Sequence, residues 1–135
     1  MPKVFTSKTQ KTGEIGENIA VKFLMKHGFS ILERNYTKKW GELDIVAEKD
    51  KRIYFVEVKS VSRNNLTGVT RETLDAYRPE DNMHPWNLKR LSRAIQTYIL
   101  IRKLDDREWQ LDLLVVFLDI ENKKAKIKVV SNIIL

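Results

Sequence analysis

The chain has 135 residues, of which 42% are hydrophobic and 32% are charged, with a formal net charge of +7 and an isoelectric point near 9.6. This length suits a single domain with one buried hydrophobic core. The absence of cysteine excludes disulfide frameworks and thiolate metal sites, and it is typical of proteins in a reducing cytoplasm. The excess of positive charge favours a polyanionic partner such as nucleic acid or a membrane surface.

The N-terminus lacks the apolar stretch of a secretory signal peptide, and no apolar run approaches the roughly 18 residues of a membrane-spanning helix. We therefore expect a soluble, cytoplasmic protein with no membrane partner, which leaves nucleic acid as the favoured ligand. Residues 1–12 are polar and basic and predict a loosely held N-terminal arm.

The first predicted helix spans residues 13–27, where apolar side chains recur at helical spacing and Gly28 supplies a C-terminal stop. Glu14 and Glu17 lie one turn apart near its start, and the simplest interpretation is that both complement the helix dipole. Glu17 also adjoins the apolar face that should meet the sheet, so it is a candidate site residue as well.

Three strands are predicted next, over residues 29–36, 42–48 and 53–59. The second and third are rich in β-branched and aromatic residues and flank a polar turn centred on Asp50 and Lys51, a pattern typical of a β-hairpin.

This hairpin is predicted to bring three charged side chains together. Its turn places Asp44 opposite Glu57, and the alternation of side chains along a strand places Asp44, Glu57 and Lys59 on one face. Two carboxylates about 5 Å apart repel by roughly 3 kcal/mol at an effective dielectric near 20, so a divalent cation is the obvious candidate to offset the repulsion. The other face of the hairpin is expected to be core: Leu43, Ile45, Tyr54, Val56 and Val58.

Between residues 61 and 87 the pattern dissolves into a polar stretch long enough that a functional or mobile loop is expected. Arg63 and the other basic and aromatic residues of this stretch suit a substrate-facing loop, and Arg63 is a candidate contact for nucleic acid. An ordinary solvated excursion of the chain would have the same composition, so both interpretations stay open.

The second predicted helix spans residues 87–104, and its first turns carry Lys89, Arg90 and Arg93. Cations there oppose the helix dipole at a few tenths of a kcal/mol each. A helix N-terminus combined with lysine and arginine is, however, well suited to bind phosphate. Phosphate contacts with nucleic acid and a solvated basic face are equally compatible with the sequence.

Two strands are predicted at the end of the chain, over residues 109–119 and 125–135. The run LDLLVVFL is apolar on both faces, as expected for a strand inside a covered sheet. Asp112 interrupts this run, so its carboxylate is either hydrogen-bonded for structural reasons or close to the site. Together the elements predict a single α/β domain over residues 1–135, with a mixed central sheet flanked by two helices.

An acidic residue on one strand, followed by Glu-x-Lys on its neighbour, is the pattern of a metal-dependent phosphodiesterase site. Mg²⁺ typically takes one or two carboxylates together with water and substrate phosphate, and Asp44 and Glu57 would supply them. Lys59, about 7 Å along the strand from Glu57, could orient the attacking water or stabilise the charged transition state. Glu17 could add an outer carboxylate. Because charged strand faces are usually solvated, the residues alone leave catalysis open.

Three stretches, GEIGENIAVKFLMKHGFSILERNY, GELDIVA and YFVEVK, resemble the small bacterial YraN-like family of predicted endonucleases. The similarity continues through NLKRLSRAIQTYI, QLDLLVVFL and SNIIL and so covers nearly the whole chain. This family is assigned to the restriction-endonuclease-like, PD-(D/E)xK superfamily, whose relatives include archaeal Holliday junction resolvases. The resemblance implies a restriction-endonuclease-like core. It also implies that Glu17, Asp44, Glu57 and Lys59 are site residues and that Lys89 lies on the family's basic helix.

Two features depart from the family pattern. After Val-Glu-Val-Lys the family usually has an arginine soon after, whereas here Ser-Val-Ser precedes Arg63, and the segment 70–86 is longer than usual. Both lie in the expected substrate loop and bear on the shape of the substrate more than on the metal site.

The residue pattern and the resemblance together imply an Mg²⁺- or Mn²⁺-dependent endonuclease that hydrolyses phosphodiester bonds in DNA, with branched DNA or repair intermediates among the expected substrates. An alternative is a non-catalytic nucleic-acid-binding module on the same fold, and another is a basic scaffold protein whose carboxylates are structural. Symmetric cutting of two strands would favour a homodimer.

Overall fold

The computed structural model describes residues 8–62 and 85–135, which form a five-stranded mixed sheet and two helices. In chain order the elements are α1 (Lys8–Lys26), β1 (Ser30–Lys38), β2 (Gly41–Lys49), β3 (Arg52–Ser62), α2 (Pro85–Ile101), β4 (Trp109–Asp119) and β5 (Lys124–Val130). The strands lie in the order β1-β2-β3-β4-β5, with β3 and β4 parallel and the other neighbours antiparallel. The predicted α/β architecture is confirmed, and it is consistent with a restriction-endonuclease-like core.

Helix α1 begins earlier than predicted, so residues 8–12 belong to the helix instead of an arm. These residues include lysine and glutamine, which are good helix formers and extend the helix without needing an apolar face. Residues 1–7 lie outside the described part. The predicted stop is confirmed: Gly28 has φ of +88°, and the Phe29 amide donates to the Leu24 carbonyl at 3.0 Å.

The β2–β3 hairpin has the predicted turn. Asp50 and Lys51 have φ of 51° and 67°, and Lys49 pairs with Arg52 across them. Positive φ at both central residues is the geometry of a two-residue type I′ turn, whose twist matches that of the flanking strands. The turn fixes the register of the whole hairpin, including the pair Ile45–Val56.

Two hydrophobic clusters lie on opposite faces of the sheet, because neighbouring strand residues alternate between them. The α1 cluster joins buried residues of α1 to β2, β3 and β4: Ala20, Leu24, Ile45, Ala47, Val56, Leu114, Val116 and Leu118. The α2 cluster joins α2 to the other side: Tyr36, Leu43, Val46, Ile53, Phe55, Leu91, Ala94, Ile95, Tyr98, Ile99 and Leu111. The sheet is therefore covered by one helix on each face, as an α/β domain requires.

Strand β2 departs from strict alternation near Asp44. Leu43 and Val46 are three positions apart but both lie in the α2 cluster, whereas Ile45 lies in the α1 cluster. The predicted placement of Leu43 on the face of Ile45 is therefore wrong. The neighbouring strand β1 is irregular at the same level, since Asn35 has φ of 52°. The local twist redirects β2 at the point where the predicted site begins.

Helix α2 begins at Pro85 and ends at Ile101, and the intervening residues 63–84 lie outside the described part of the chain. Most of the predicted substrate-facing loop, including Arg63, therefore lies outside the described residues. At its two ends, residues 61–62 belong to β3 and residues 85–87 to α2. In its described residues the structure contains no helix long and apolar enough to cross a membrane.

The C-terminal segment explains Asp112. Its Oδ1 accepts hydrogen bonds from Gln110 Nε2 at 2.8 Å and from the Asn132 amide at 2.9 Å. Asn132 has φ of 57°, so the chain turns away after Val130 and does not continue the strand to residue 135. Of the two roles considered for Asp112, the structural one fits these contacts.

Candidate functional site

The pairing of β2 with β3 stops where the two acidic residues begin. Its recorded register ends at Ile45–Val56, and the next position would place Asp44 opposite Glu57, as predicted. Instead of a backbone ladder, side chains bridge the two strands there. The Val58 amide donates to Asp44 Oδ2 at 2.9 Å, and the Asp44 amide donates to Glu57 Oε1 at 3.4 Å. We call this opening between β2 and β3 the fork.

The fork is a consequence of the way β2 is shared between two neighbours. Toward its N-terminal end β2 continues to pair with β1, through Leu43–Tyr36 and Glu42–Thr37, after it has left β3. The strand thus follows β1 and diverges from β3, which exposes backbone amides that need acceptors. The carboxylates of Asp44 and Glu57, both half-buried, supply those acceptors.

These hydrogen bonds change the electrostatic argument made from the sequence. A carboxylate that accepts a backbone amide is stabilised in its charged form. Part of the repulsion between Asp44 and Glu57 is therefore offset by the protein itself, so a cation is not the sole means of balancing the pair.

Lys59 extends from β3 beside the fork. Glu57 and Lys59 pair with Leu113 and Val115 of β4, and both positions alternate with Val58, which packs in the α1 cluster. Glu57 and Lys59 therefore belong to the α2 side of the sheet, with the lysine exposed and the glutamate half-buried.

Glu17 approaches the same region from the other side. It lies on α1 with only 7% of its surface exposed, and its Oε1 is 3.5 Å from Arg34 Nη2 on β1. Arg34 also donates to Asn18 Oδ1 at 2.7 Å and pairs with Ile45, the residue after Asp44.

Gly16, the residue before Glu17, packs directly on Ser60, so the helix touches β3 immediately after Lys59.

Helix α2 comes close to the fork at Gly41. This glycine has φ of +149°, and a Cβ there would lie 3.1 Å from the Arg90 carbonyl oxygen and 3.2 Å from Ala94 Cβ. Both facts favour glycine, because a side chain would be strained and would push the helix away. The close approach leaves a cavity of about 410 Å³ whose described lining is Gly41, Glu42, Glu57, Asn87, Arg90 and Leu91.

The three predicted basic residues of α2 therefore differ in position. All three side chains are exposed on the first turns of the helix, but Arg90 also lines the cavity that Glu57 lines. Arg63, the fourth predicted contact for nucleic acid, lies outside the described residues.

Sequence reasoning missed Arg34, Gly16 and Ser60. Arg34 could have been found from the register of β1 against β2, since it pairs with Ile45, the residue after Asp44. Gly16 and Ser60 form a contact between elements that are distant in sequence, and no local sequence pattern predicts such a contact.

The acidic side chains fit a magnesium ion only in the open manner of a catalytic site. Among the described residues, no three histidine, aspartate or glutamate side chains lie close enough together to enclose a metal. Mg²⁺ commonly takes one or two carboxylates from the protein and completes its shell with water and phosphate oxygens. Asp44 and Glu57 match that donor set, and Glu17 lies outside it.

The sequence matches one protein family, and relatives from several species carry the same family name. Residues 16–125 match the family described as Uncharacterised protein family UPF0102. A UPF0102 protein of Campylobacter hominis is 37% identical over 126 residues, spanning 93% of this chain and 96% of the relative. A UPF0102 protein of Caldicellulosiruptor bescii is 32% identical over 124 residues, spanning 91% and 96%. A UPF0102 protein of Flavobacterium psychrophilum is 35% identical over 116 residues, spanning 86% and 87%. The chain belongs to the Uncharacterised protein family UPF0102.

Proposed function

We propose that this protein is a metal-dependent endonuclease of the YraN-like kind, which hydrolyses phosphodiester bonds in DNA at the fork. The observation that carries the proposal is the meeting of Asp44 and Glu57 where β2 and β3 separate, with Lys59 on the same strand as Glu57. Hydrogen-bonded carboxylates beside an exposed lysine can hold a hard cation and a phosphate together.

When bound, Mg²⁺ or Mn²⁺ would supply Lewis-acid stabilisation of the phosphoryl oxygens, and Asp44 and Glu57 are the residues that would hold it. The backbone hydrogen bonds from Val58 and Asp44 orient those two carboxylates before substrate arrives. This preorganisation lowers the cost of assembling the site in the transition state.

Lys59 has two roles open to it in the hydrolysis. A water oxygen gives up a proton to solvent and forms a bond to phosphorus while the bond from phosphorus to an ester oxygen breaks. The leaving oxygen takes up a proton from solvent to become a hydroxyl, and negative charge accumulates on the phosphoryl oxygens in the transition state. The ammonium of Lys59 can stabilise that charge or orient the attacking water through a hydrogen bond. Glu17, outside the metal donor set, can hold a water molecule of the outer shell.

Helix α2 supplies the means of holding the DNA backbone. Arg90 is placed beside Glu57 at the cavity, and Lys89 and Arg93 extend the positive surface along the same turns. The net charge of +7 adds a long-range attraction to any polyanion.

The proposal is tested by a cleavage assay on linear, nicked, flapped and four-way-junction DNA with Mg²⁺, Mn²⁺ or chelator. The matched control is the double variant Asp44→Asn/Glu57→Gln, which keeps the shape of the site and removes its charge. We expect metal-dependent cutting by the wild type and none by the control. Salt-sensitive DNA binding without cutting in every metal would instead favour a non-catalytic binding module, and neither binding nor cutting would leave the carboxylates with a structural role.

A further inference from the structure

At Gly16 helix α1 packs closely on strand β3, with the side chain of Ser60 in the space that a Cβ would occupy. A Cβ built on Gly16 would lie 1.9 Å from Ser60 Oγ and 3.0 Å from Ser60 Cβ. A carbon atom does not come within 1.9 Å of an oxygen to which it is not bonded, so even alanine at this position would force the helix or the serine to move. The absence of a side chain at residue 16 sets how closely α1 lies on the sheet.

The requirement is local to this turn of the helix. Gly13, one turn earlier in α1, has no atom within 4 Å of a Cβ built on it. Ala20, one turn later, is fully buried and contributes its Cβ to the α1 cluster. If α1 needed small residues along its whole length, a side chain at position 13 would also be blocked, but the space there is open.

The contact joins the elements that carry the site. Ser60 follows Lys59 on β3, and Gly16 precedes Glu17 on α1, whose carboxylate lies 3.5 Å from Arg34. Arg34 in turn pairs with the residue after Asp44. A displacement of α1 at Gly16 therefore moves the buried Glu17 carboxylate relative to the fork, while Asp44 and Glu57 stay in place through their own hydrogen bonds to the backbone.

We propose that Gly16 is a positioning residue, because the absence of a side chain there lets α1 pack against Ser60 at the distance from β3 that places Glu17 beside the fork. The inference rests on the proposed nuclease function and adds the device that aligns its third carboxylate. Misplacement of a positioned group by about 1 Å can lower the rate of the chemical step by up to about 100-fold.

The test uses four variants of the full chain with the same DNA substrate and metal. Gly16→Ala should lower kcat by at least about 10-fold while changing KM by less than about 2-fold, because the DNA-binding helix α2 lies on the other face. Gly13→Ala is the matched control and should keep wild-type kcat with a higher Tm, since alanine is the better helix former. Ser60→Gly alone should have a small effect on kcat.

The decisive variant combines Gly16→Ala with Ser60→Gly. Removing the serine side chain leaves Ser60 Cα as the nearest atom of the strand, at 3.8 Å from the built Cβ, which is an ordinary van der Waals distance. We therefore expect the double variant to recover kcat to within about 3-fold of Ser60→Gly. General loss of packing does not predict recovery, because the double variant has less packed volume at the strand.

A second cycle asks whether the effect passes through Glu17. In a Glu17→Gln background, adding Gly16→Ala should cause no further loss of kcat. Should Gly16→Ala fail to fold by circular dichroism, Ser60→Thr adds a methyl group to the same contact from the strand side and takes the place of Gly16→Ala in the Glu17→Gln cycle.

The outcomes separate the inference from the proposed function. Wild-type protein that cuts no DNA in any metal overturns both. If the wild-type protein cuts DNA, three results overturn the positioning inference alone. These are a wild-type kcat in Gly16→Ala, no recovery of kcat in the double variant, and additive losses of kcat in the Glu17→Gln background.

Discussion

Asp44 shows how much of the site's stability is decided by single hydrogen bonds. Two carboxylates about 5 Å apart repel by roughly 3 kcal/mol at an effective dielectric near 20. A hydrogen bond to a charged group contributes about 1.5–3 kcal/mol, and the fork contains two, to Asp44 Oδ2 and to Glu57 Oε1. The two effects are of similar size, so the pair can persist without metal.

The first prediction contrasts two variants of Asp44 in chelator. Asp44→Asn keeps an oxygen that can accept from the Val58 amide and removes one of the two charges, so its Tm should equal or exceed that of the wild type. Asp44→Ala leaves the amide without this acceptor and should cost about 1–3 kcal/mol. This corresponds to a fall in Tm of several degrees for a domain of this size.

Metal titration completes the measurement. Added Mg²⁺ or Mn²⁺ should raise the wild-type Tm by mass action, and the Asn variant's much less. If Asp44→Asn melts well below the wild type in chelator, and neither protein responds to metal, the metal-site interpretation is wrong.

The second prediction concerns Lys59. Lysine does not bind Mg²⁺, so Lys59→Ala should leave the metal-dependent rise in Tm intact while cleavage falls about 100-fold or more. Lys124→Ala, which removes an exposed strand lysine at the start of β5, is the control and should cut normally. Cleavage by Lys59→Ala at the wild-type rate would reduce Lys59 to a surface charge.

At the scale of elements, each helix approaches the fork through a glycine. Gly16 lets α1 contact β3, and Gly41 lets α2 contact the start of β2. The two helices lie on opposite faces of the sheet, so they bring different groups to the fork: Glu17 from one side and Arg90 from the other. The division between the helices is therefore one of charge, with an acidic side chain from α1 and a basic side chain from α2.

The third prediction tests that division on α2. Lys89→Ala and Arg93→Ala should each weaken binding about equally on unrelated DNA sequences and lower the slope of log affinity against log salt by roughly one unit. Arg90→Ala should do the same and should also lower kcat, because Arg90 lines the cavity with Glu57.

The control for α2 is Lys26→Ala, which removes an exposed charge at the far end of α1. It should change the salt slope little. An unchanged slope in the triple variant of α2 would place DNA elsewhere on the molecule, and an unchanged kcat in Arg90→Ala would separate that arginine from the site.

For the molecule as a whole, local patterns predicted the strands and their pairing well, and long-range contacts poorly. The turn at Asp50 and Lys51 fixes the hairpin register locally, so Asp44 and Glu57 could be placed opposite one another from the sequence. The divergence of β2 from β3 depends on β1 and on the twist at Asn35, which no periodicity reveals. Leu43 was misplaced for that reason.

Contacts between elements that are distant in sequence could not be predicted either, because they too depend on how the elements pack in three dimensions. Gly16 and Ser60 meet because two layers pack, and a glycine in a helix pattern has no signature that names its neighbour. Asp112 could be recognised as needing a partner, but one of its donors, the Asn132 amide, lies beyond the end of β5, where a continuing strand was predicted. The early start of helix α1 was missed because residues 8–12 are polar helix formers and show no hydrophobic periodicity.

The last prediction treats the stability of the whole domain at alkaline pH. Tyr98 of α2 is 3% exposed and packs edge-to-face on Tyr36 and Phe55, with ring centroids 5.1 and 5.8 Å away. Burial raises the pKa of the Tyr98 hydroxyl above its usual value of 10.0, Glu33 acts in the same direction, and Arg102 opposes them. The folded state therefore favours the neutral phenol.

The sign of the pH dependence follows from linkage. A raised folded-state pKa means that the contribution of Tyr98 is fully present below pH 10 or so and is lost as the pH rises through the folded-state pKa. Tyr98→Phe cannot ionise, so its Tm should fall less steeply than that of the wild type above about pH 10. The measurement is Tm from pH 7 to pH 11, with Tyr54→Phe, which removes the hydroxyl of a half-buried tyrosine on the α1 side, as the matched substitution for comparison. Parallel curves for Tyr98→Phe and the wild type would show that ionisation of Tyr98 does not limit the stability of the fold at alkaline pH.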